Sequence, residues 1–276
     1  MNEYENATVE GLLPPLRHVI AKYQLSTKKS LGQHFLFDTN LTDRIAKTAN
    51  VKGATVIEIG PGPGGLTRSL LLQGAARVIA VEKDRNCLAA LEELRNFYSD
   101  RLILLEADAL NLNLSELGSW RYNIVANLPY NISTPLLINW LRQIETINRM
   151  TLMFQKEVAK RVAAVPGTKD WGPLGVSVHL NANSKQMLTI PRGAFRPMPE
   201  VESALVSLRF CHPPVKVSNP AVFTQLVRTL FNQRRKTAIN ALAALVPQIA
   251  SISTQDVFER AGVDPKLRPE KLKLAE

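Results

Sequence analysis

The chain has 276 residues, enough for one large domain and a smaller one. Hydrophobic residues make up 45% of it and charged residues 21%, which is the composition of a globular protein. Lys and Arg number 34 against 24 Asp and Glu, and the resulting formal net charge of +10 favours a polyanionic partner such as nucleic acid.

The sequence argues against a metalloprotein, a disulfide-stabilised secreted protein and a membrane protein. Cys87 and Cys211 are its only cysteines and form no C-x-x-C pair, and the four histidines have no metal-ligand spacing. No apolar run approaches the ~18 residues of a membrane span. The acidic N-terminus lacks the apolar core of a signal peptide. We therefore expect a cytoplasmic protein with no metal and no membrane partner.

The first segment, residues 1–30, is predicted to be an N-terminal extension with one short helix between residues 11 and 23. A basic, glycine-containing loop over 28–36 follows it. From Asp38 to Asn50 the apolar residues recur at helical spacing and predict a second helix.

Short apolar segments then alternate with helical ones. The predicted strands cover 55–59, 77–81, 102–106, 122–126 and 150–154. Gly74 is placed to end the helix after the first strand, and Asp84 to cap the helix after the second. This alternation predicts an α/β fold with a mostly parallel, doubly wound, Rossmann-like sheet.

The pattern changes after residue 167. A helix over 174–180 is followed by strands over 186–190 and 204–210, which are predicted to pair as a hairpin-like edge of the sheet. Residues 212–214 are interpreted as a linker, and beyond residue 220 only helical periodicity remains. We therefore predict a domain over 31–210 and a small all-α domain over 211–276.

A glycine-rich loop follows the first strand of the sheet. Gly60, Gly62 and Gly65 fit the pattern G-x-G-x-x-G, which marks a strand–helix turn that a ligand approaches closely. Glu82 follows the second strand, where a carboxylate can accept hydrogen bonds from both ribose hydroxyls. These features alone do not separate a dinucleotide from S-adenosylmethionine.

The neighbouring residues favour S-adenosylmethionine. Pro61 and Pro63 remove two N–H donors from the loop, which makes it a poor cradle for pyrophosphate. Glu58, Glu82 and Asp108 follow one another at successive strand ends, and three acids suit a sulfonium and an ammonium better than two phosphates. Asp108 could accept a hydrogen bond from an adenine amino group.

The stretch Asn127-Leu128-Pro129-Tyr130 ends the fourth strand, at the edge where open α/β sheets bind ligands. The Asn127 side-chain oxygen and the Leu128 carbonyl can accept the two hydrogens of an exocyclic amino group. Tyr130 can stack on the ring that carries this group. Two such acceptors orient the nitrogen lone pair outward, as a nucleophilic amine requires.

In combination, these motifs resemble the ribosomal RNA small-subunit adenine N6-dimethyltransferase family, over almost the whole chain from 32–36 to 231–237. The resemblance implies methyl transfer from S-adenosylmethionine to N6 of two adjacent adenines near the 3′ end of 16S rRNA in the 30S subunit. It also implies a role in small-subunit biogenesis, and we expect a monomer.

The resemblance also implies roles for individual residues. The family's cofactor contacts fall on His34, Leu36, Gly60, Glu82, Asp108 and Asn127. The family usually has Asn where this chain has His34, so a side-chain contact there would be altered and a backbone contact would survive. The resemblance further implies that Phe195, in the proline-rich loop over 191–199, flanks the target base opposite Tyr130.

The segment over 211–276 carries ten basic residues against five acidic ones. Two helical apolar stripes, over 223–230 and 239–245, predict helices whose apolar faces pack together. Arg234, Arg235 and Lys236 lie between the stripes and are the predicted contacts to rRNA phosphates.

Three other functions compete with this interpretation. Erythromycin-resistance methylases act on a large-subunit rRNA adenine and are expected to share the fold. A nicotinamide-dependent oxidoreductase is disfavoured by Pro61, Pro63 and the stretch over 127–130. A ribosome-assembly checkpoint without essential catalysis could coexist with methylation.

Overall fold

A computed structural model describes residues 13–25, 34–118, 121–211, 215–249 and 251–276. Most of the N-terminal extension, the loop residues 26–33 and the linker 212–214 therefore lie outside the described residues. The chain divides into two units, one of residues 1–159 with 185–210 and the other of 160–184 with 211–276.

The helices and strands of the described residues alternate much as the sequence predicts. The strands are β1 (Phe35–Leu36), β2 (Thr55–Ile59), β3 (Arg77–Glu82), β4 (Leu102–Glu106), β5 (Tyr122–Asn127), β6 (Ile147–Gln155), β7 (Ala182–Ile190), β8 (Phe195–Arg196) and β9 (Ser203–Phe210). The helices are α1 (Leu16–Lys22), α2 (Thr39–Ala49), α3 (Gly65–Leu72), α4 (Arg85–Tyr98), α5 (Ser133–Trp140), α6 (Lys156–Val162), α7 (Pro173–His179), α8 (Pro220–Asn232), α9 (Ala238–Leu242), α10 (Val246–Ile249) and α11 (Thr254–Ala261).

The main sheet has the strand order β4-β3-β2-β5-β6-β9-β7. Strands β2 to β6 pair in parallel, and β9 joins β6 antiparallel. Their central residues, such as Val56, Val78 and Ile124, are fully buried, as expected for strands that are covered on both faces. The predicted mostly parallel α/β sheet is confirmed, and so is the pairing of the last two predicted strands.

Local sequence signals set several boundaries. The side chain of Asp84 accepts a hydrogen bond from the Asn86 N–H at 3.0 Å and caps α4, as predicted. Gly74 follows α3 with φ +84°, the left-handed conformation that ends a helix. β3 therefore begins shortly after Gly74 and α4 directly after Asp84, as the sequence predicts.

A short two-stranded ribbon, β1 paired antiparallel with β8, was not predicted. Each strand has two residues, which is too short for an alternating pattern to identify. The ribbon aligns Leu36 with Phe195. Both side chains are buried in the core of the first unit.

The second unit is helical and includes residues that the sequence assigned to the first domain. Trp171 of the loop before α7 and Val176 of α7 pack in one apolar cluster with Val227 of α8. Residues 160–184 therefore belong with the C-terminal helices, whereas the sequence placed the boundary at residue 211. A second cluster joins Leu230 to Leu242, and here the two predicted apolar stripes meet.

Candidate active site

A pocket opens at the carboxyl ends of β2 and β5, where the order of the parallel strands reverses. Open α/β sheets bind ligands at this topological switch point. The predicted cofactor-binding and catalytic residues line it, with the exception of Phe195. The predicted residues that line the pocket are His34, Leu36, Gly60, Gly62, Glu82, Asp108, Asn127, Leu128 and Tyr130.

The N–H groups of the glycine loop over 60–64 are already hydrogen-bonded within the protein. The Gly60 N–H donates to the Val81 carbonyl at 3.0 Å, and the Gly62 N–H donates to Glu82 Oε2 at 3.4 Å. Pro61 and Pro63 have no N–H. A loop whose donors are already bonded or missing has little to offer a pyrophosphate, so this geometry favours S-adenosylmethionine over a dinucleotide.

Gly62 cannot be replaced without a rearrangement of the site. Its φ is +53°, a conformation that residues with a Cβ rarely adopt. A Cβ added there would lie 2.9 Å from Cε1 of the Phe35 ring. Phe35 belongs to β1, so the glycine lets the ribbon approach the loop closely.

Glu82 is buried at the end of β3 and held by three backbone donors. Its Oε1 accepts from the N–H groups of Lys83 and Asp84 at 2.9 Å each, and Oε2 accepts the longer bond from Gly62. Burial raises the pKa of Glu82, and the backbone hydrogen bonds act in the opposite direction. The carboxylate is therefore fixed in orientation, while Oε2 can still accept a ligand hydroxyl.

Asp108 lies at the edge of the same pocket. Its Oδ1 caps the short 3₁₀ turn over Ala109–Asn111 by accepting from the Leu110 N–H at 3.0 Å. Its Oδ2 is 3.4 Å from Lys83 Nζ, an exposed ion pair that water screens. A carboxylate held by its own cap and only loosely paired is suited to accept from a ligand amine.

Glu58 contributes a further acid to the pocket wall. Its side chain, in the middle of the parallel strands, is 1% exposed, and Oε2 has no hydrogen-bond partner among the described residues. The pKa of Glu58 is raised to about 8: burial is the main cause, the Thr67 hydroxyl lowers the pKa, and the negative charge of Glu82 adds to the rise.

Asn127 ends β5 with its side chain anchored at one end. Its Nδ2 donates to the His34 carbonyl at 2.8 Å, which fixes the amide so that Oδ1 is the atom left to accept from a substrate. Leu128 is buried behind it. The Tyr130 hydroxyl lies 2.6 Å from Ser203 Oγ, so the ring is held in place at the pocket.

His34 has both its backbone and its ring engaged. Its Nδ1 is 2.8 Å from the Pro197 carbonyl oxygen. The ring centroid lies 5.3 Å from that of Tyr130 and 6.4 Å from that of Phe195. The His34 ring is thus an aromatic neighbour of Tyr130, a role that the sequence did not indicate.

Phe195 requires a correction. The sequence placed it against the target base opposite Tyr130, but its side chain is 0% exposed and packs in the core of the first unit with Leu205 and Ile190. It does not line the pocket, and the His34 ring contacts both it and Tyr130. The pairing of β8 with β1 turns this side chain inward, and no local sequence signal marks that pairing.

The predicted phosphate contacts lie in the turn between α8 and α9. Arg235 and Lys236 are exposed there. Arg234 is half-buried, with Nε 3.6 Å from Glu270 Oε2. Arg234 therefore also neutralises an acid within its own unit, which separates it from the other two cations.

Comparison with known proteins bears on this site. A family model described as ribosomal RNA adenine dimethylase matches residues 24–273. The chain is 46% identical over 274 residues to the ribosomal RNA small subunit methyltransferase A of Dinoroseobacter shibae, covering 98% of this chain and 96% of the relative. It is 43% identical to the protein of the same name from Sinorhizobium medicae, covering 98% and 97%.

Two solved structures are similar to the chain at lower sequence identity. A dimethyladenosine transferase from Plasmodium falciparum superposes with a TM-score of 0.76 at 25% identity, covering 87% of this chain and 94% of that one. The 23S rRNA methyltransferase ErmE superposes with a TM-score of 0.67 at 24% identity, covering 87% and 95%. The second likeness bears on the fold alone.

Proposed function

The chain belongs to the ribosomal RNA adenine dimethylase family, and we propose that it transfers methyl groups from S-adenosylmethionine to N6 of adenine in small-subunit ribosomal RNA. The observation that carries the proposal is the anchored amide of Asn127. Its Nδ2 bond to the His34 carbonyl leaves Oδ1 as an acceptor beside the buried Leu128 and the ring of Tyr130. An amide held this way is an acceptor for an exocyclic amine.

S-adenosylmethionine supplies the methyl group when it is bound, and the residues at the switch point fit it. Glu82 would accept the ribose hydroxyls and Asp108 the adenine amino group of the cofactor. The unpartnered Oε2 of Glu58 and the bonded N–H groups of the glycine loop suit a cation rather than phosphates. Leu36, Gly60 and the backbone of His34 would complete the walls of the pocket.

The substrate amine is oriented by two acceptors. Asn127 Oδ1 and the Leu128 carbonyl take its two N–H hydrogens, so the nitrogen lone pair points away from both. Tyr130, with its hydroxyl held by Ser203, offers the base the part of its ring that His34 does not cover. Alignment of this kind can account for up to ~7–11 kcal/mol of a reaction barrier. The chemistry requires no covalent intermediate on the protein.

For the substrate, we propose two adjacent adenines near the 3′ end of 16S rRNA within the 30S subunit, with a role in subunit biogenesis and with the protein acting as a cytoplasmic monomer. The motifs at 32–36, 127–130 and 231–237 support this choice. So do the names of the relatives, which specify the small subunit. The fold likeness to a 23S rRNA methyltransferase makes the large subunit the alternative substrate to test.

The deciding experiment uses unmethylated 30S and 50S subunits in parallel. Each is incubated with the protein and labelled S-adenosylmethionine, and the modified nucleotides are mapped on the rRNA. Dimethylation of two adjacent adenines in 16S rRNA alone is the expected result. Label in 23S rRNA would favour the alternative substrate. Binding to 30S subunits without any label would favour the assembly role.

A further inference from the structure

Two arginines face each other across the sheet, and neither lines the pocket. Arg149 of β6 and Arg209 of β9 are directly opposed in the antiparallel pair of these strands. The Cβ atoms of such a pair lie ~4.5–5.5 Å apart, and like charges placed there destabilise a sheet. The pair therefore costs stability in the free protein unless a negative charge lies close to both guanidinium groups.

The sheet around this pair supplies no such charge. Its neighbours on the same face are the uncharged residues Asn123, Thr151 and Ser207. The Asn123 Oδ1 already accepts from Asn148 Nδ2 at 3.0 Å. β7, the strand beside β9, contains no Asp or Glu. Within the part of the chain that the structure describes, neither Arg149 nor Arg209 has an ion pair.

The other charged groups near the start of β6 do not change this balance. Arg121, directly before β5, adds a third cation, and its guanidinium donates to the Ile147 carbonyl at 3.2 Å. Glu145, in the turn before β6, is exposed and forms no ion pair with any residue described. Burial lowers the pKa of Arg149, and the positive charge of Arg209 lowers it further. A neighbouring anion would raise this pKa instead.

We propose that Arg149 and Arg209 form an anion site that binds the phosphate backbone of the substrate rRNA, in addition to the cations in the turn between α8 and α9. The identity of the RNA rests on the proposed function. A guanidinium group presents parallel N–H donors that match two phosphate oxygens. Arg209 is exposed and Arg149 half-buried, so a phosphate from solvent can reach the pair. Its negative charge replaces one repulsion by two attractions.

RNA is favoured over an acidic protein as the partner. The formal net charge of the chain is +10, which is typical of proteins that bind a polyanion. The names of the relatives also specify ribosomal RNA. An acidic ribosomal protein is the alternative partner, and the experiment below separates the two.

The experiment compares two double variants that each remove two positive charges. Arg149→Gln/Arg209→Gln should weaken binding to 30S subunits and to protein-free 16S rRNA. It should also lower the salt slope of the binding constant by roughly 1.4–1.8, because each lost phosphate contact accounts for roughly 0.7–0.9. Arg44→Gln/Lys47→Gln, at exposed positions on α2, is the control for net charge. Affinity for S-adenosylmethionine should equal that of wild type in both, since none of the four side chains lines the pocket.

Unfolding by urea separates RNA binding from a structural role. Arg209→Gln relieves the repulsion and removes little packing, because Arg209 is exposed. Its unfolding midpoint should equal or exceed that of wild type while its binding to rRNA falls. A residue that serves the fold would instead lower the midpoint when it is replaced. If the double variant does not fold, Arg209→Gln alone is used for the binding measurements.

Several results would overturn the proposal. One is rRNA binding of the Arg149→Gln/Arg209→Gln variant that matches wild type or changes no more than the α2 control. Another is a loss confined to 30S subunits, with protein-free 16S rRNA bound as before, which would assign the pair to a ribosomal protein. A lower unfolding midpoint of Arg209→Gln would assign it to the fold. A wild-type protein that neither binds nor methylates 16S rRNA would contradict the proposed function, and this site with it.

Discussion

Asn127 shows how one hydrogen bond determines which atom of a side chain is left for chemistry. Its Nδ2 is committed to the His34 carbonyl, so Oδ1 faces the substrate as an acceptor. The sequence predicted the acceptor from the position of Asn127 after a buried strand. It could not predict the anchor, because His34 lies 93 residues earlier in the chain.

The variant Asn127→Ala should slow methyl transfer about tenfold or more, because the loss of an orienting hydrogen bond of ~1.4 kcal/mol alone corresponds to tenfold. Single-turnover rates with saturating 30S subunits and S-adenosylmethionine measure the effect. Calorimetric affinity for the cofactor in the same variant separates chemistry from binding. A rate within a factor of two of wild type would show that Asn127 is not the orienting group.

Glu58 should also affect the stability of the free protein. Its pKa in the folded state is raised from 4.5 to about 8, so the stability it contributes is fully present below about pH 4.5 and is lost as the pH rises towards 8. Unfolding by urea without cofactor should therefore show wild type losing more stability between pH 5 and 8 than Glu58→Gln does. The difference should be on the order of a few kcal/mol. Parallel curves for the two proteins would contradict the buried, protonated state.

At the scale of elements, the strands that the sequence predicts best are those that need no distant partner to be identified. β2 and β4 match the prediction residue for residue, because a continuous apolar run between turn residues indicates a parallel strand, whether it is buried as β2 is or partly exposed at the edge of the sheet as β4 is. β1 and β8 were missed, since two residues carry no period. This pairing determines where Phe195 points, and for that reason the predicted base clamp was wrong at this residue.

Phe195→Ala should consequently behave as a core mutation. The side chain is fully buried, and truncation of a buried phenylalanine typically costs ~3–5 kcal/mol of unfolding free energy. Phe97→Ala is the matched control, because that ring is 37% exposed and its truncation should cost far less. Denaturant unfolding of both variants measures the difference. A Phe195 variant as stable as the control, with only rRNA binding reduced, would restore its role at the base.

At the scale of the whole chain, the order of elements and the position of the pocket follow from the sequence, whereas the membership of the two units does not. Residues 160–184 join the C-terminal helices through contacts such as the bond from Trp171 Nε1 to the Leu272 carbonyl at 3.2 Å. These residues are 101 positions apart. Local periodicity cannot indicate a contact of that separation, so a boundary placed by periodicity alone fell at residue 211.

Net charge is also a property of the whole chain, and it bears on RNA binding. The three cations over 234–236 that contribute to it differ in exposure and in ion pairing. Arg235 and Lys236 are exposed, whereas Arg234 pairs with Glu270, whose side chain is only 18% exposed. Removal of Arg234 would leave a largely buried acid unpaired and so destabilise the second unit. A test of RNA binding should therefore change only the other two cations.

The double variant Arg235→Gln/Lys236→Gln should weaken 30S-subunit binding and lower the salt slope of the binding constant by roughly 0.7–0.9 for each phosphate that the protein no longer neutralises. Its unfolding free energy and its affinity for S-adenosylmethionine should not change, because both side chains are exposed and neither lines the pocket. Arg44→Gln/Lys47→Gln removes the same charge from exposed positions on α2 and serves as the control for net charge. Binding measured at several salt concentrations decides between the two. If both double variants shift the slope equally, net charge alone attracts the RNA and the turn between α8 and α9 does not bind it.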